Sequence, residues 1–494
     1  MMQPSATVIA QFDQITARHP RKVAVFYGSE RITYHQLAGH IHDYAGNLQH
    51  LQTIKPGDKV GILLKNSPRF IYALYALLKS GATVVPVNTF LKAPEVQHIV
   101  DDCGLNCLIS EDDFNEVTGK LERVRIIHTR QLAHKSHTEP VWTPTTETDL
   151  AVIIYTSGTT GKSKGALLTH RNIATNVRSC ITALDETTDD RLTLLLPMFH
   201  SFMLTVCIFM PLSMGAGIVL IKSVQPFKLV VREIIRNRAT ILVGIPQLFQ
   251  AMAQAKVPFW VHWVLKLRLA ISGAAPLPGE TLTVFERKFR FPLLEGYGLS
   301  EASPVVSFNP LHGVRKAGSV GLPLPGIAVK IVNDHGHEVP TGEVGEIIVQ
   351  GPNVMRGYHN QPVANAETLR HDWLYTGDMG KKDSDGYVFI VDRRKEMLLV
   401  RGMNVYPREI EEVLYTFPNV NEAAVIARAD DKRGEAPIAF VSPKPGTALD
   451  SAAILRYCRQ RLADYKLPRE VRIMQSLPRT ATGKIAKLEL KKFL

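Results

Sequence analysis

The sequence predicts an α/β protein: a large N-terminal domain of α/β layers with a small β subdomain, followed by a small α+β C-terminal domain. Three observations predict it. At 494 residues the chain is too long for one hydrophobic core. Its first half alternates short β-branched apolar runs with helix-length segments, the signature of parallel α/β layers. Beyond residue 318 that rhythm gives way to short strands between Gly, Pro and Asp turns, and beyond 395 to a compact basic mixture of helix and strand.

In chain order, Lys59–Leu64 reads as a strand, Arg69–Ser80 as a helix, Thr83–Val87 as a strand and Ala93–Asp101 as a helix. Cys107–Ile109 and Val124–Ile127 continue the strands, and a second such series runs between Leu192 and Leu294. Leu192–Ile221 carries no charged side chain and is long enough to span a bilayer. Pro197, Pro211, Gly215 and Gly217 interrupt it, and His200, Ser201 and Ser213 add polar groups. It reads as a buried helix over Phe202–Met210, a turn at Met214–Gly217 and a buried strand Ile218–Ile221. Val329–Val332, Glu346–Val349 and Tyr387–Val391 read as antiparallel strands. Helix Glu409–Thr416, strands Ala423–Ala427 and Ile438–Ser442 and helix Ser451–Arg461 close the chain. The expected division is 1–391, a hinge at 392–395, and 396–494.

The composition, 45% hydrophobic and 21% charged, excludes a mainly disordered chain. The formal charge of +12 points to anionic partners, and residues 395–494 carry half of it. No nucleic-acid motif accompanies that charge, so nucleic acid is not an expected partner; peripheral contact with an anionic membrane stays open, as does the choice between monomer and homodimer. Cys103, Cys107, Cys180, Cys207 and Cys458 form no metal-binding spacing and read as buried reduced thiols. Met1–Gln11 lacks the basic flank and apolar run of a signal peptide, so the expected location is cytoplasmic.

The chemistry concentrates in Tyr155–Gly165, directly after an apolar strand over Leu150–Tyr155. Gly158, Gly161 and Gly165 let the backbone approach a ligand closely. The hydroxyls of Thr156, Ser157, Thr159 and Thr160, the exposed amides, and the cations Lys162 and Lys164 suit a triphosphate. A plain polar loop is the bland reading. A Walker loop is excluded, because its first glycine would fall at position 156, which is Thr.

This segment closely resembles the signature of the acyl-adenylate-forming superfamily, with Ser163 where the usual form has proline. The resemblance continues in order along nearly the whole chain. It covers Ser272–Pro276, Glu295–Glu301, Gly342–Gly351 with Arg356-Gly357-Tyr358, Tyr375–Asp378, Asp392–Glu396 and Pro478–Lys484. It implies an ATP- and Mg²⁺-dependent enzyme that activates a carboxylic acid as acyl-AMP, and a C-terminal domain that is mobile. A carboxylate must be brought onto a polyanion, so cations and aligned donors are needed to offset the repulsion.

By that resemblance Glu301 binds Mg²⁺, and Ser300 replaces the usual threonine while keeping its hydroxyl. Gly273, Ala274, Ala275, Tyr297 and Gly298 resemble the adenine pocket. Asp378 and Arg393 match ribose contacts, and Lys484 matches a lysine that steadies charge during adenylation. Lys395 matches the hinge residue, and Arg401 and Gly402 the coenzyme A tunnel, although relatives carry a small residue where Arg401 stands. The bland alternatives are a surface carboxylate for Glu301, a core aromatic for Tyr297, a turn cap for Asp378, and solvated lysines for Lys395 and Lys484.

Phe199, His200 and Phe202 resemble the lining of the acyl pocket, with Val243, Gly244 and Gly273 as further walls; His200 also reads as a packed core histidine. No charge there is placed to read an amino group, which disfavours amino acids. Leu398–Pro407 looks most like the fatty acyl-CoA synthetase version of its motif. The expected substrate is therefore a medium- or long-chain fatty acid and the acceptor coenzyme A. An aryl acid of hydroxycinnamate type and a carrier-protein acceptor are the rivals, and a nucleotide-binding pseudoenzyme is the reading from outside catalysis.

Overall fold

The computed structural model describes residues 7–51, 54–156, 163–223, 227–255, 261–400, 403–430, 434–479 and 485–494, with backbone only at 261–262. It divides into two compact units, one of residues 1–329 and 349–374, the other of 330–348 and 375–494. Compactness thus groups 330–348 and 375–391 with the C-terminal residues, rather than dividing the chain at the expected 392–395.

The first unit is built on two sheets. In the nine-stranded sheet the strands run Leu322–Pro323, Val305–Phe308, Leu293–Gly298, Leu269–Ser272, Ile241–Gly244, Arg191–Leu194, Gly217–Leu220, Val23–Tyr27 and Glu30–Thr33. Its centre is parallel; Ile241–Gly244 pairs in register with Leu269–Ser272. Those strands are fully buried runs such as Ile-Leu-Val-Gly and Leu-Ala-Ile-Ser, as expected of a sheet covered on both faces. Helices Phe227–Arg236, Pro246–Gln254 and Gly279–Phe289 contribute Val230, Ile234, Phe249, Met252 and Phe285 to one core cluster. Phe249 and Phe285 meet edge to face, with centroids 5.5 Å apart.

The seven-stranded sheet runs Gly357–Tyr358, Lys164–Thr169, Leu150–Thr156, Thr83–Pro86, Lys59–Leu63, Cys107–Ser110 and Arg125–His128. Pro68–Lys79 starts with proline at its first turn, and Ala93–Cys103 stops at Gly104, whose φ of 64° is the left-handed cap that glycine adopts without strain.

Most elements fall where the sequence places them, within a residue or two. The expected helix over Phe202–Met210 is a fully buried π-helix, Met203–Phe209, followed by a short α-helix, Met210–Met214. The β-rich stretch after Gly318 is divided. Leu322–Pro323 and Gly357–Tyr358 are two-residue strands too short to stand alone, and each completes an edge of a large sheet. All five cysteines are free and buried, and no described helix is long and apolar enough to cross a membrane.

Ala328–Val332, Gly345–Gln350, Trp373–Lys382 and Val388–Arg393 follow one another in a third sheet, most of whose residues belong to the second unit. The C-terminal module has a sheet of Met403–Val405, Leu398–Val400, Gly434–Pro443 and Val420–Asp430, with Glu470–Ile473 parallel to Gly434–Pro443. Helices Pro407–Tyr415 and Ser451–Arg459 bury Ile410, Leu414, Ile454 and Cys458 against it.

His170 opens helix His170–Leu184 with 1% of its surface exposed and Nδ1 unpartnered. Burial pushes its imidazole down to about 4, against the opposing pull of Asp149. The unfolded chain therefore binds the proton more tightly, so stability is full above about 6.5 and falls as pH drops from there toward 4. Acidification from pH 7.5 to 5 should cost about 2 kcal/mol at this group. Urea titrations at the two pH values should show an acid-induced loss of stability about 2 kcal/mol larger in the wild type than in His170→Gln.

Candidate functional site

Leu150–Thr156 and Lys164–Thr169 pair antiparallel up to Thr156 opposite Lys164. The strands thus bring Thr156 and Lys164, at the two ends of the expected phosphate-binding segment, to one place. Ser157, Gly158, Thr159, Thr160, Gly161 and Lys162 lie outside the described residues, as do Arg401, Gly402 and Lys484. Ser163, the departure from the usual proline, is held through its carbonyl, which lies 3.2 Å from His98 Nε2.

On the far edge of Lys164–Thr169 sits Gly357–Tyr358, with Tyr358 opposite Ala166. Gly357 has a φ of 148°, where a side chain would meet Asn365. From this edge the Tyr358 hydroxyl donates to Glu301 Oε1 at 2.7 Å, while Lys164 Nζ lies 5.5 Å from the Tyr358 ring centroid. A carboxylate, a phenol and an ammonium group thus converge from three distant parts of the chain.

Glu301 stands on the short 3₁₀ turn Ser300–Ala302, after strand Leu293–Gly298. The turn is pinned from outside: Met355 N donates to the Glu301 carbonyl at 2.8 Å, and Asn353 Nδ2 to that of Ala302 at 2.8 Å. Gly298 cannot be replaced without movement, because a Cβ there would lie 2.3 Å from the Pro304 carbonyl oxygen. Ser300 Oγ meets Ser201 Oγ at 3.0 Å, joining this turn to the apolar stretch before the π-helix. Tyr297, two residues before Leu299, is buried, with 8% exposed.

Gly273 ends strand Leu269–Ser272 and donates its N–H to the Gly244 carbonyl at 3.2 Å. Phe202 presses on it; a Cβ at position 273 would sit 3.1 Å from the ring. Ala274 takes a left-handed φ of 68°, unusual without glycine, and Ala275 is half-buried. Phe199 and Phe202 are buried, and Phe199 meets Phe90 edge to face. Phe202 N donates to His200 Nδ1 at 3.3 Å, which places any proton of a neutral ring on Nε2. Val243 is fully buried in its strand and receives the Thr193 hydroxyl oxygen on its N–H.

In the second unit Asp378 and Arg393 are register partners, and Arg393 Nε lies 2.6 Å from Asp378 Oδ1. Asp378 is 4% exposed while the Arg393 side chain is half exposed, so the pair faces outward through its guanidinium. Asp378 N donates to Thr376 Oγ1 at 3.0 Å, and that hydroxyl donates to the Ile347 carbonyl at 2.7 Å. Arg394 spans Glu346 at 2.9 Å and Asp334 at 2.6 Å, and Lys395 is exposed in the turn that follows. Asp392 is buried and accepts the N–H groups of Arg393 and Arg408; burial still pushes its carboxyl up to about 6.

The donor set at Glu301 suits Mg²⁺, which is usually held by one or two carboxylates together with substrate phosphates. Tyr358 engages Oε1, and among the described residues no cluster of three or more His, Cys, Asp or Glu forms a dedicated cage. Sequence reasoning missed the contacts that Tyr358 and Ser201 make. Both residues lie in stretches that carry the resemblance, but their partners are distant in sequence.

Residues 12–359 match the family described as AMP-binding enzyme, and residues 409–484 match the AMP-binding enzyme C-terminal domain. A feruloyl-CoA synthase from Amycolatopsis sp. is 36% identical over 478 residues, covering 96% of each chain. The long-chain-fatty-acid–CoA ligase of Bacillus subtilis (strain 168) is 32% identical over 532 residues, covering 99% of this chain and 94% of that one. The solved structure of O-succinylbenzoate coenzyme A synthetase (MenE) from Bacillus subtilis, in complex with ATP and magnesium ion, superposes with a TM-score of 0.89 at 29% identity. It covers 97% of this chain and 99% of that one.

Proposed function

Because this chain belongs to the AMP-binding enzyme family, as an AMP-forming acid–CoA ligase, we propose that its substrate is a medium- or long-chain fatty acid. One carboxylate oxygen attacks the α-phosphorus of ATP, the bond to pyrophosphate breaks, and acyl-AMP forms. The coenzyme A thiol, losing its proton, then attacks the acyl carbon, and AMP leaves with the electrons of the broken C–O bond.

The convergence of Glu301, Tyr358 and Lys164 carries this reading. When bound, Mg²⁺ supplies positive charge to the phosphates. Glu301 is the carboxylate that would hold it, with Tyr358 fixing one oxygen so that the other is aimed. Lys164 and the donors of Thr156–Lys162 would receive the triphosphate, with Ser300 beside them. Gly273, Ala274, Ala275, Tyr297 and Gly298 would bound the adenine. Asp378 would take the ribose hydroxyls, sharing its charge with Arg393. Lys484 would steady the charge that develops at the α-phosphate, and Arg401 and Gly402 would border the thiol's approach. Rotation about Lys395, between 1–391 and 396–494, would separate the two half-reactions.

The fatty-acid assignment is supported by the apolar set Phe199, Phe202, Val243, Gly244 and Gly273, which offers no ionic partner for a second polar group. An aryl acid of hydroxycinnamate type is the second reading. The feruloyl-CoA synthase match spans 478 residues, whereas the match to the fatty-acid ligase is longer than this chain itself and so interrupted by gaps.

Pyrophosphate release across fatty acids of graded length and hydroxycinnamates, each with and without coenzyme A, decides between them. Saturable release with the longer fatty acids alone supports the proposal; release only with hydroxycinnamates overturns it in favour of the second reading. Acyl-AMP that accumulates despite coenzyme A would move the acceptor to a carrier protein. Tyr358→Phe should keep the fold and raise the Mg²⁺ concentration needed for half-maximal adenylation on the order of tenfold, as expected for losing a hydrogen bond to a charged group. An unchanged Mg²⁺ dependence would remove Tyr358 from the site.

A further inference from the structure

The stretch Leu196–Phe202, which carries Phe199, His200 and Phe202, leaves strand Arg191–Leu194 of the nine-stranded sheet and leads into the π-helix Met203–Phe209. Its start poses a main-chain problem. Pro197 has no N–H, and the Leu196 carbonyl and Met198 N–H on either side of it lie outside any strand or helix. Met198 is buried, so its N–H needs a partner inside the protein.

The other sheet of the first unit supplies that partner. Asn66 follows strand Lys59–Leu63 of the seven-stranded sheet and precedes helix Pro68–Lys79. Its Nδ2 donates to the Leu196 carbonyl at 2.8 Å, and its Oδ1 accepts from Met198 N at 3.0 Å. One carbonyl and one N–H as partners fix which end of the amide is which, and a planar amide offers the donor and acceptor side by side. The neighbouring parallel strand, Thr83–Pro86, leads to a second contact: Phe90 meets the Phe199 ring edge to face, with centroids 6.2 Å apart.

The far end of the stretch is held from the nine-stranded sheet. Ser201 Oγ lies 3.0 Å from Ser300 Oγ, the Thr205 hydroxyl donates to the Ser303 carbonyl at 2.9 Å, and Phe202 packs on Gly273. Leu196–Phe202 is therefore strung between the two sheets. Apolar contact keeps Leu195, Met198 and Phe199 buried, but burial has no direction. The paired hydrogen bonds of Asn66 do, and they act on the main chain one residue before Phe199.

We infer that Asn66 is a positioning residue for the acid: without touching it, Asn66 holds the main chain that aims Phe199 and His200, and so decides which acids fit. This rests on the reading given above of Phe199, His200 and Phe202 as the acid-facing wall.

The test follows pyrophosphate release by the full-length enzyme with fatty acids of graded length and hydroxycinnamates. Asn66→Ala should raise the KM of whichever acid the wild type prefers about tenfold, the size expected from one or two lost hydrogen bonds, and should reorder the acids. The KM for ATP should stay within about twofold. An Asn66 that served only the fold would lower the melting temperature and the active fraction, reducing kcat for every acid by one common factor. That result, with acid KM and order unchanged, overturns the inference. Asn66→Asp has the same shape, keeps the acceptor for Met198 N and loses the donor to Leu196. It should show the same split, keeps the inference testable if Asn66→Ala fails to fold, and an unaltered acid profile there counts against it.

The decisive measurement is Phe199→Leu with and without Asn66→Ala. If Asn66 acts through the wall, its substitution adds little to the change in acid KM and order that Phe199→Leu already causes. Multiplying effects overturn the inference. Phe199→Leu and Phe202→Leu enzymes that both keep the wild-type acid profile overturn the reading of the wall, and the inference with it. An altered profile in those two beside an unaltered one in Asn66→Ala overturns the inference alone.

Discussion

The site in the first unit depends on a backbone ladder rather than on any single side chain. Leu150–Thr156 is an inner strand of the seven-stranded sheet, Lys164–Thr169 pairs with it, and Gly357–Tyr358 pairs with that in turn. Strand pairing fixes register to the residue, and a slip of one position would turn every side chain to the opposite face. Register is therefore what puts Lys164 over the Tyr358 ring and the Tyr358 hydroxyl on Glu301. The same edge segment, through Met355 N and Asn353, holds the turn on which Glu301 stands. The acid and its orienting phenol are thus carried by mutually braced backbone, the condition under which aimed charge is worth most to a reaction.

The second unit solves a different electrostatic problem with the same residue type. Asp378 and Asp392 are both buried aspartates on neighbouring rungs of one strand pair, opposite Arg393 and Met379 respectively. Asp378 is met directly by the Arg393 guanidinium, and Thr376 accepts its N–H. Among the described residues Asp392 has only backbone donors in contact and the Lys487 charge at longer range, so burial prevails and its carboxyl rises to about 6. One aspartate is thereby paired with a solvent-facing cation. The other is set within a cluster whose charges knit the turn after Arg393 to the C-terminal helix.

How much of this was legible follows from range. Fully buried strands such as Thr83–Pro86 and Ile241–Gly244 announce themselves locally, as does the Gly-, Ser- and Thr-rich segment after Tyr155, because periodicity and composition are properties of neighbouring residues. Gly357–Tyr358 and Leu322–Pro323 have no local signal; two residues become a strand only when a distant edge is there to pair with. The π-helix Met203–Phe209 was expected as an ordinary helix, since an apolar run fixes burial but not which carbonyl each N–H selects. Lys487 reads as one more lysine of a basic tail. Only the meeting of Glu396 and Glu411 distinguishes it, and those carboxylates are dozens of residues away.

Chemistry and specificity are held by different kinds of structure. The groups that would handle phosphate are placed by main-chain pairing, which tolerates little change. The groups that would face the acid are placed by side-chain packing: Phe202 against Gly273, Phe199 against Phe90, and Ser201 linking that stretch to Ser300. Gly273 is the pivot between the two, because its N–H is spent on Gly244 while its missing side chain leaves room for the Phe202 ring. Any side chain at 273 must displace that ring by a few tenths of an ångström, and so reshape the wall proposed to face the acid, at a place apart from the ladder that carries Lys164 and Tyr358. If the proposed pocket holds the acid, substrate preference can drift by packing changes alone on an unaltered adenylating frame. Relatives with names as different as feruloyl-CoA synthase and long-chain-fatty-acid–CoA ligase align along almost the full length of this chain, as such a division of labour would allow.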